Sequence, residues 1–338
     1  MPESTDVWTV KTTLDWVEGY LQRHGDENPR TSAQWLLSEV TGLSRIQLYM
    51  SLDRPLTMGE RDVLRDYVVR RGKGEPLQYI TGEVGFRHIV VKVRPGVLIP
   101  RPETEVLVSE ALALLPEAPR LIAADSLLNE YDGAQLMAAA SAAESGGEIA
   151  NPVAALEEAL APEKQNLLVA DICAGSGCIA CSLAYEHPGV SVIASDIAPE
   201  ACSLAQDNVD ALGLADRVTV RHGDLGDAFP ADLVGRFDLV VSNPPYVPTA
   251  VMAAMPSEVT DFEPALALDG GEDGLDVFRR LLDTCTTMLM PGGAFAFELH
   301  EDCLDQAASL AAAAGFADVR ITRDLAGKPR VLTGHLPL

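Results

Sequence analysis

The sequence predicts an α/β protein: a doubly wound, mainly parallel sheet with an antiparallel edge, preceded by a small helical bundle and a β-hairpin. Three observations predict it. From about Leu167 onward, short apolar runs alternate with segments of helical composition, the pattern of parallel strands joined by crossover helices. The first 75 residues instead carry apolar residues at three and four spacing. Two runs at the C-terminal end, VRITRD and RVLTGHL, are joined by a turn at Gly327 and suit an antiparallel pair closing one edge.

Along the chain, the bundle comes first. TVKTTLDWVEGYLQRHG, PRTSAQWLLSEVTG, SRIQLYMSL and TMGERDVLRDYVVRRG each have a helical period and polar or glycine ends, and they fill residues 1–75. Trp8, Trp16 and Trp35 are expected to pack this bundle. From Pro76 to Val93, PLQYITGEVGFRHIVVKV alternates β-branched and aromatic residues around Gly82 and Gly85, the signature of a hairpin, so residues 76–98 are expected to link two domains. Residues 99–338 make the second domain, with strands at NLLVADI, VSVIASDI, RVTVRHGD, RFDLVVSN and GGAFAFELH. Residues 121–165 fit neither pattern. They are rich in Ala, Ser and Gly and hold eight acids against Lys164 alone, which predicts an acidic surface insertion.

Composition narrows the function. The 338 residues suffice for two folded units and carry a formal net charge of -25, which opposes phosphate backbones and weighs against direct nucleic-acid binding. No apolar run approaches the roughly 18 residues that cross a bilayer, and the N-terminus has no basic start followed by an apolar stretch; no membrane association and a cytoplasmic location are expected. Six cysteines, three of them (Cys173, Cys178 and Cys181) around one glycine-rich turn, suit a reducing compartment. Cys178 and Cys181 with His187 fall short of a metal ligand set, and no metal is expected.

The chemistry lies at strand ends. In DICAGSGCIA, Asp171 stands on the first strand, and Gly175 and Gly177 stand where the chain turns into a helix, so a ligand can lie against the main chain of Cys173, Ala174, Gly175, Ser176 and Gly177. Asp196 ends the second strand, where a carboxylate accepts from both ribose hydroxyls; this suits a nicotinamide dinucleotide and S-adenosylmethionine equally. Asp224 and Leu225, after the third strand, are placed to meet an adenine. The fourth strand separates the two cofactors. FDLVVS runs into Asn243-Pro244-Pro245-Tyr246, a stiff turn without N–H groups at 244 and 245. An amide nitrogen is a poor nucleophile because its lone pair is delocalised. The side-chain oxygen of Asn243 and the backbone oxygen of Pro244 would hold both N–H bonds and aim the lone pair at a methyl donor, with Tyr246 stacked on the flat group. A dehydrogenase leaves SNPPY without a purpose. An adenine-amino methyltransferase shares its logic but conflicts with the charge, and a non-catalytic docking module leaves Asn243 and Asp196 unexplained.

These motifs resemble the release-factor glutamine methyltransferases, the HemK or PrmC family. The likeness spans most of the chain outside 121–165: LLSEVTGLSRIQLY, EPLQYITGEVGF, IPRPETE at 99–105, DICAGSG, SNPPYV, FEPALAL at 262–268 and DGL at 273–275. It implies a Rossmann-like class I methyltransferase domain behind a helical domain that recognises the partner. It implies S-adenosyl-L-methionine as cofactor, and as acceptor the glutamine of the Gly-Gly-Gln loop of peptide-chain release factors. The resemblance assigns residues 173–177, Asp196, Leu225 and Asn243 to the cofactor, and residues 243–246 to the acceptor glutamine. A monomer is expected. The family usually has Gly-Thr where this chain has Cys173-Ala174, which puts the local turn geometry at issue.

Overall fold

The computed structural model describes residues 7–117 and 166–338; the expected acidic insertion lies outside them. The N-terminal bundle consists of α1 (Val10–Arg23), α2 (Pro29–Thr41), α3 (Arg45–Met50) and α4 (Met58–Arg71). In α1 the buried residues Val10, Leu14, Val17 and Leu21 form a single stripe, and Thr9 and Thr12 satisfy each other's backbone N–H in a capping box. Pro29 opens α2 and Gly42, at φ 66°, closes it. Trp8 meets Trp16 edge to face, and Trp16 stacks on Tyr20. Trp35 departs from the expectation. It falls between the buried positions Ala33, Leu36 and Leu37, is 37% exposed, and shares a surface groove with Val84 and Val90.

The segment from Pro76 to Val93 is not all hairpin. Leu77–Thr81 form a short helix, α5, which Gly82 terminates at φ 83°; the glycine expected to bend a strand pair acts as a helix stop. The hairpin proper is β1 (Glu83–Phe86) and β2 (Ile89–Lys92), turning at Arg87 and His88 with Arg87 at φ 50°. It is rooted in the larger domain rather than free. Phe86, Ile89 and Val91 join that domain's core, and Arg87 pairs with Glu186 at 2.6 Å.

Seven strands build the main sheet: β3 (Leu167–Ile172), β4 (Val190–Asp196), β5 (Val218–His222), β6 (Phe237–Ser242), β7 (Leu289–Glu298), β8 (Ala317–Arg323) and β9 (Pro329–His335). Their order is β5-β4-β3-β6-β7-β9-β8, with β3 to β7 parallel and β9 antiparallel to both neighbours. Helices cover both faces. On one, α6 (Thr104–Leu114) and α7 (Cys178–Glu186) bury Leu107, Val108, Ile179 and Leu183 against Val169, Leu239 and Val241. On the other, α11 (Asp276–Met288) and α12 (Leu304–Ala313) pack Phe278, Leu281, Leu282 and Leu304 on Val240, Phe295 and Phe297. The inner strands β3, β4, β6, β7 and β9 contribute residues to both cores, which is why their runs are apolar nearly throughout. The chain leaves β3 toward β5, then returns to place β6 on the other side of β3. That reversal opens a crevice at the carboxyl ends of β3 and β6.

Helix α8 (Pro199–Ala211) follows β4, and two short helices, α9 (Thr249–Met252) and α10 (Ser257–Thr260), lie in the segment after β6. Arg71 at the end of α4 joins the bundle to that segment, bonding Asp26 at 2.7 Å and Glu258 of α10 at 3.0 Å. Among the described residues, no helix is long and apolar enough to cross a membrane.

Candidate active site

The crevice holds two adjoining cavities. The first is lined by the glycine turn (Cys173, Ala174, Gly175, Ser176), by Asp196, by 96–101 and by Asn243 and Pro245. The second is lined by Asn243, Pro244, Tyr246, Val247 and His300. Leu98, Arg101, Asn243 and Ala267 line both, so Asn243 stands in the wall between them.

The first cavity is shaped by backbone. Cys173, Gly175 and Gly177 all take positive φ, at 62°, 56° and 75°. A Cβ on Gly175 would find only Val97 Cγ1, at 3.9 Å, so the missing side chain leaves main chain open to a ligand. A Cβ on Gly177 would stand 3.0 Å from that of Ala205; this glycine permits close packing of the turn on α8 rather than lining the cavity. Asp196 accepts from Gly175 N through Oδ2 and from Ala198 N through Oδ1, each at 2.9 Å, which leaves a lone pair on each oxygen for a ligand's hydroxyls. Burial holds its carboxyl above the ordinary carboxylate range against the pull of those N–H groups. An open main chain beside a carboxylate with two spare acceptor positions fits a nucleoside.

Other residues singled out in the sequence lie further back. Asp171 is fully buried behind the turn, where it accepts from Ala180 N at 2.9 Å; burial pushes its carboxyl up to about 8. It shapes the turn from below. Asp224 pairs with Arg280 at 2.7 Å and, with Leu225, lines a neighbouring cleft at the end of β5. Cys178 and Cys181 are buried thiols that burial keeps protonated, and His187 is spent on Pro116 O and Gly189 N.

The second cavity turns on Asn243. Its Nδ2 donates to Thr104 Oγ1 at 3.1 Å, so Oδ1 faces away from that contact. Among the described residues, no donor reaches Asn243 Oδ1 or the Pro244 carbonyl. Tyr246 lies against the cavity and donates its hydroxyl to Glu298 Oε1 at 2.9 Å; burial and that carboxylate push its phenol far up. Two neighbouring acceptors beside an aromatic face suit a planar group that brings two N–H bonds.

The supporting residues were not singled out individually by sequence reasoning. Thr104, from IPRPETE, orients Asn243. Glu263, from FEPALAL, is buried and binds both Ile99 N and the Arg101 guanidinium, which pins the segment lining both cavities. Around DGL, a Cβ on Gly274 would meet Tyr246 O at 2.5 Å, and one on Gly270 would meet Tyr246 Cα at 2.7 Å, so these glycines let the chain lie against the back of Tyr246. The motifs themselves were the available signal; their partners were not.

Residues 12–82 match the family model of the PrmC N-terminal domain, and residues 141–258 match the methyltransferase small domain. The chain is 36% identical to the release factor glutamine methyltransferase of Geobacter sulfurreducens, over 99% of this chain and 100% of that protein. It is 35% identical to that of Chlorobaculum tepidum over 96% of each chain, and 32% to that of Rhodopirellula baltica over the same shares. The chain belongs to the release factor glutamine methyltransferase family. Its departure from the usual family turn now has a geometry. Cys173, where the sequence departs from the expected Gly-Thr, adopts a left-handed backbone that disfavours any residue with a Cβ by roughly 1–2 kcal/mol, and the fold holds it there.

Proposed function

We propose that this protein transfers a methyl group from S-adenosylmethionine to the side-chain amide nitrogen (N5) of the glutamine in the Gly-Gly-Gln loop of peptide-chain release factors. One observation carries the reading: two cavities meet at Asn243, whose NH2 is held by Thr104 while Oδ1 and the Pro244 carbonyl remain free to accept. In this reading Asp196 takes the ribose hydroxyls, and the main chain of residues 173–177 runs along the ligand. Asp171 supports that turn from behind, and Asp224 and Leu225 border the adenine end. When bound, the cofactor supplies an electrophilic methyl on a sulfonium.

Asn243 Oδ1 and Pro244 O accept both N–H bonds of the glutamine amide. Tyr246 packs on its plane, and Pro245 lines the first cavity beside it. Holding both N–H bonds fixes the amide plane, so the nitrogen lone pair, which stands perpendicular to it, is aimed at the methyl donor. No strong base is required, because the nitrogen becomes acidic as it is methylated and its proton passes to water. The helical bundle and the hairpin groove beside Trp35 are the surfaces for the protein partner. With a formal charge of -25, the substrate is the release factor and not a nucleic acid; the enzyme works as a monomer in the cytoplasm.

The test is mass spectrometry of release factors incubated with the protein and labelled cofactor, with a Gly-Gly-Glu factor as blank. Label on the glutamine only is the expected result; equal label in the blank overturns the reading. Asn243→Ala should lower the transfer rate far more than release-factor affinity, since alignment acts on the transition state.

A further inference from the structure

Asn208 lies on α8 with almost no exposed surface and lines neither cavity. A buried side-chain amide offers two N–H bonds and a carbonyl oxygen, all of which need partners. Asn208 finds them in two distant stretches of backbone. Oδ1 accepts from Lys92 N at 2.7 Å and Nδ2 donates to Lys92 O at 3.1 Å, so the amide pairs with the end of β2 as a neighbouring strand would. Nδ2 also donates to Ser176 O at 2.9 Å, which uses its second N–H bond.

The bond to Ser176 bears on the cofactor cavity. Ser176 O and Gly177 N belong to one peptide group of the glycine turn, and Gly177 N is itself spent on Ala174 O at 2.8 Å. That peptide plane is thus held at both ends. Elsewhere in the turn, Ala174 N donates to Ser195 O and Gly175 N to Asp196, both on β4. Asn208 adds a hold from outside the sheet. It is needed because Gly175 and Gly177 sit at positive φ, and glycine by itself has many other conformations within reach. We propose that Asn208 is a positioning residue for the cofactor: it clamps the glycine turn to β2 and keeps the main chain of residues 173–177 in the shape the ligand meets, without touching the ligand. The hairpin that borders the groove at Val84 and Val90 and the turn that borders the first cavity are thereby joined through one side chain.

This inference rests on the reading of residues 173–177 as the cofactor's turn, and its test separates the two. Asn208→Asp keeps the shape and the acceptor for Lys92 N, but removes both donors and sets a carboxylate oxygen against Ser176 O. Calorimetric affinity for S-adenosylmethionine should fall about 10- to 100-fold, the effect of a buried carbonyl left without its donor. Its KM should rise in step while kcat at saturating cofactor stays within about threefold of wild type. Leu304→Ala, in α12 against the far edge of the sheet, is the control for stability: it should lower the melting temperature and leave cofactor affinity intact. Hydrogen exchange on the wild-type protein gives a second measurement that needs no variant. Saturating S-adenosylmethionine should slow exchange in β2, which lines neither cavity, and leave α12 unchanged. Wild-type cofactor affinity in a folded Asn208→Asp, a loss of kcat without a rise in KM, or an affinity loss that Leu304→Ala reproduces overturns the clamp. So does unaltered exchange in β2, which decides the matter should Asn208→Asp fail to fold. Absence of S-adenosylmethionine binding to the wild-type protein would instead overturn the proposed function.

Discussion

The sharpest perturbation of the cofactor cavity is at Asp196, because the structure assigns each of its oxygens a task before any ligand arrives. Oδ2 holds Gly175 N and Oδ1 holds Ala198 N, so one lone pair per oxygen remains for two ribose hydroxyls. Asp196→Ala removes two charge-assisted hydrogen bonds of about 1.5–3 kcal/mol each, or roughly 3–6 kcal/mol together, which corresponds to a cofactor affinity about 10²–10⁴-fold weaker. Asp196→Asn is more discriminating. Its single carbonyl oxygen can serve only one of the two backbone N–H groups, yet its NH2 can still donate to one ribose oxygen, so the loss should be close to one charged bond, about 10- to 150-fold. Calorimetry with S-adenosylmethionine measures both. A pH series adds a second readout. Burial raises this carboxyl, so acidification should weaken wild-type binding from above the ordinary carboxylate range, and the Asn variant should show no such fall. Wild-type affinity in Asp196→Asn, or less than a tenfold loss in Asp196→Ala, would refute the assignment of the ribose to Asp196.

Two further predictions concern the scaffold. Asp171 titrates near 8 when folded against an ordinary 3.8. Below the lower value both states are protonated and the group is neutral to stability; between the two, the unfolded chain has released a proton that the folded one retains, so stability falls as pH rises through that window. Asp171→Asn should therefore flatten the decline in urea midpoint between about pH 4 and 8, and an unchanged slope would show that Asp171 ionises freely in the fold. Gly270→Ala places a methyl 2.7 Å from Tyr246 Cα, where only backbone can yield. It should cost about 1–3 kcal/mol in denaturant unfolding and slow turnover by moving Tyr246; a variant as stable and active as wild type would sink that packing argument.

What the sequence determined by itself is local. Apolar period, glycine turns and strand-end residues are written within stretches of a few residues, so the bundle, the parallel strands, the antiparallel edge, the glycine turn and the SNPPY turn were all legible. Gly82 shows the limit of that reading: a glycine after YIT suits a strand bend or a helix stop, and the packing of Tyr79 and Ile80 into the interior made it the stop. Cys173 shows another, since nothing in its own neighbourhood predicts a left-handed cysteine; the turn between β3 and α7 imposes it.

Tertiary structure alone decided how the motifs meet. Thr104 reaches Asn243 across 139 residues of sequence, and Glu263 reaches Ile99 across 164. Tyr246 finds Glu298 across 52. A hydrogen bond depends on distance and direction in space, and neither is encoded by the residue types at its two ends. Asp224 makes the same point in the other direction. Its strand-end position matched the pattern of Asp196, but Arg280 from α11 reaches its Oδ2 across 56 residues of sequence, whereas the two oxygens of Asp196 hold the nearby backbone of Gly175 and Ala198.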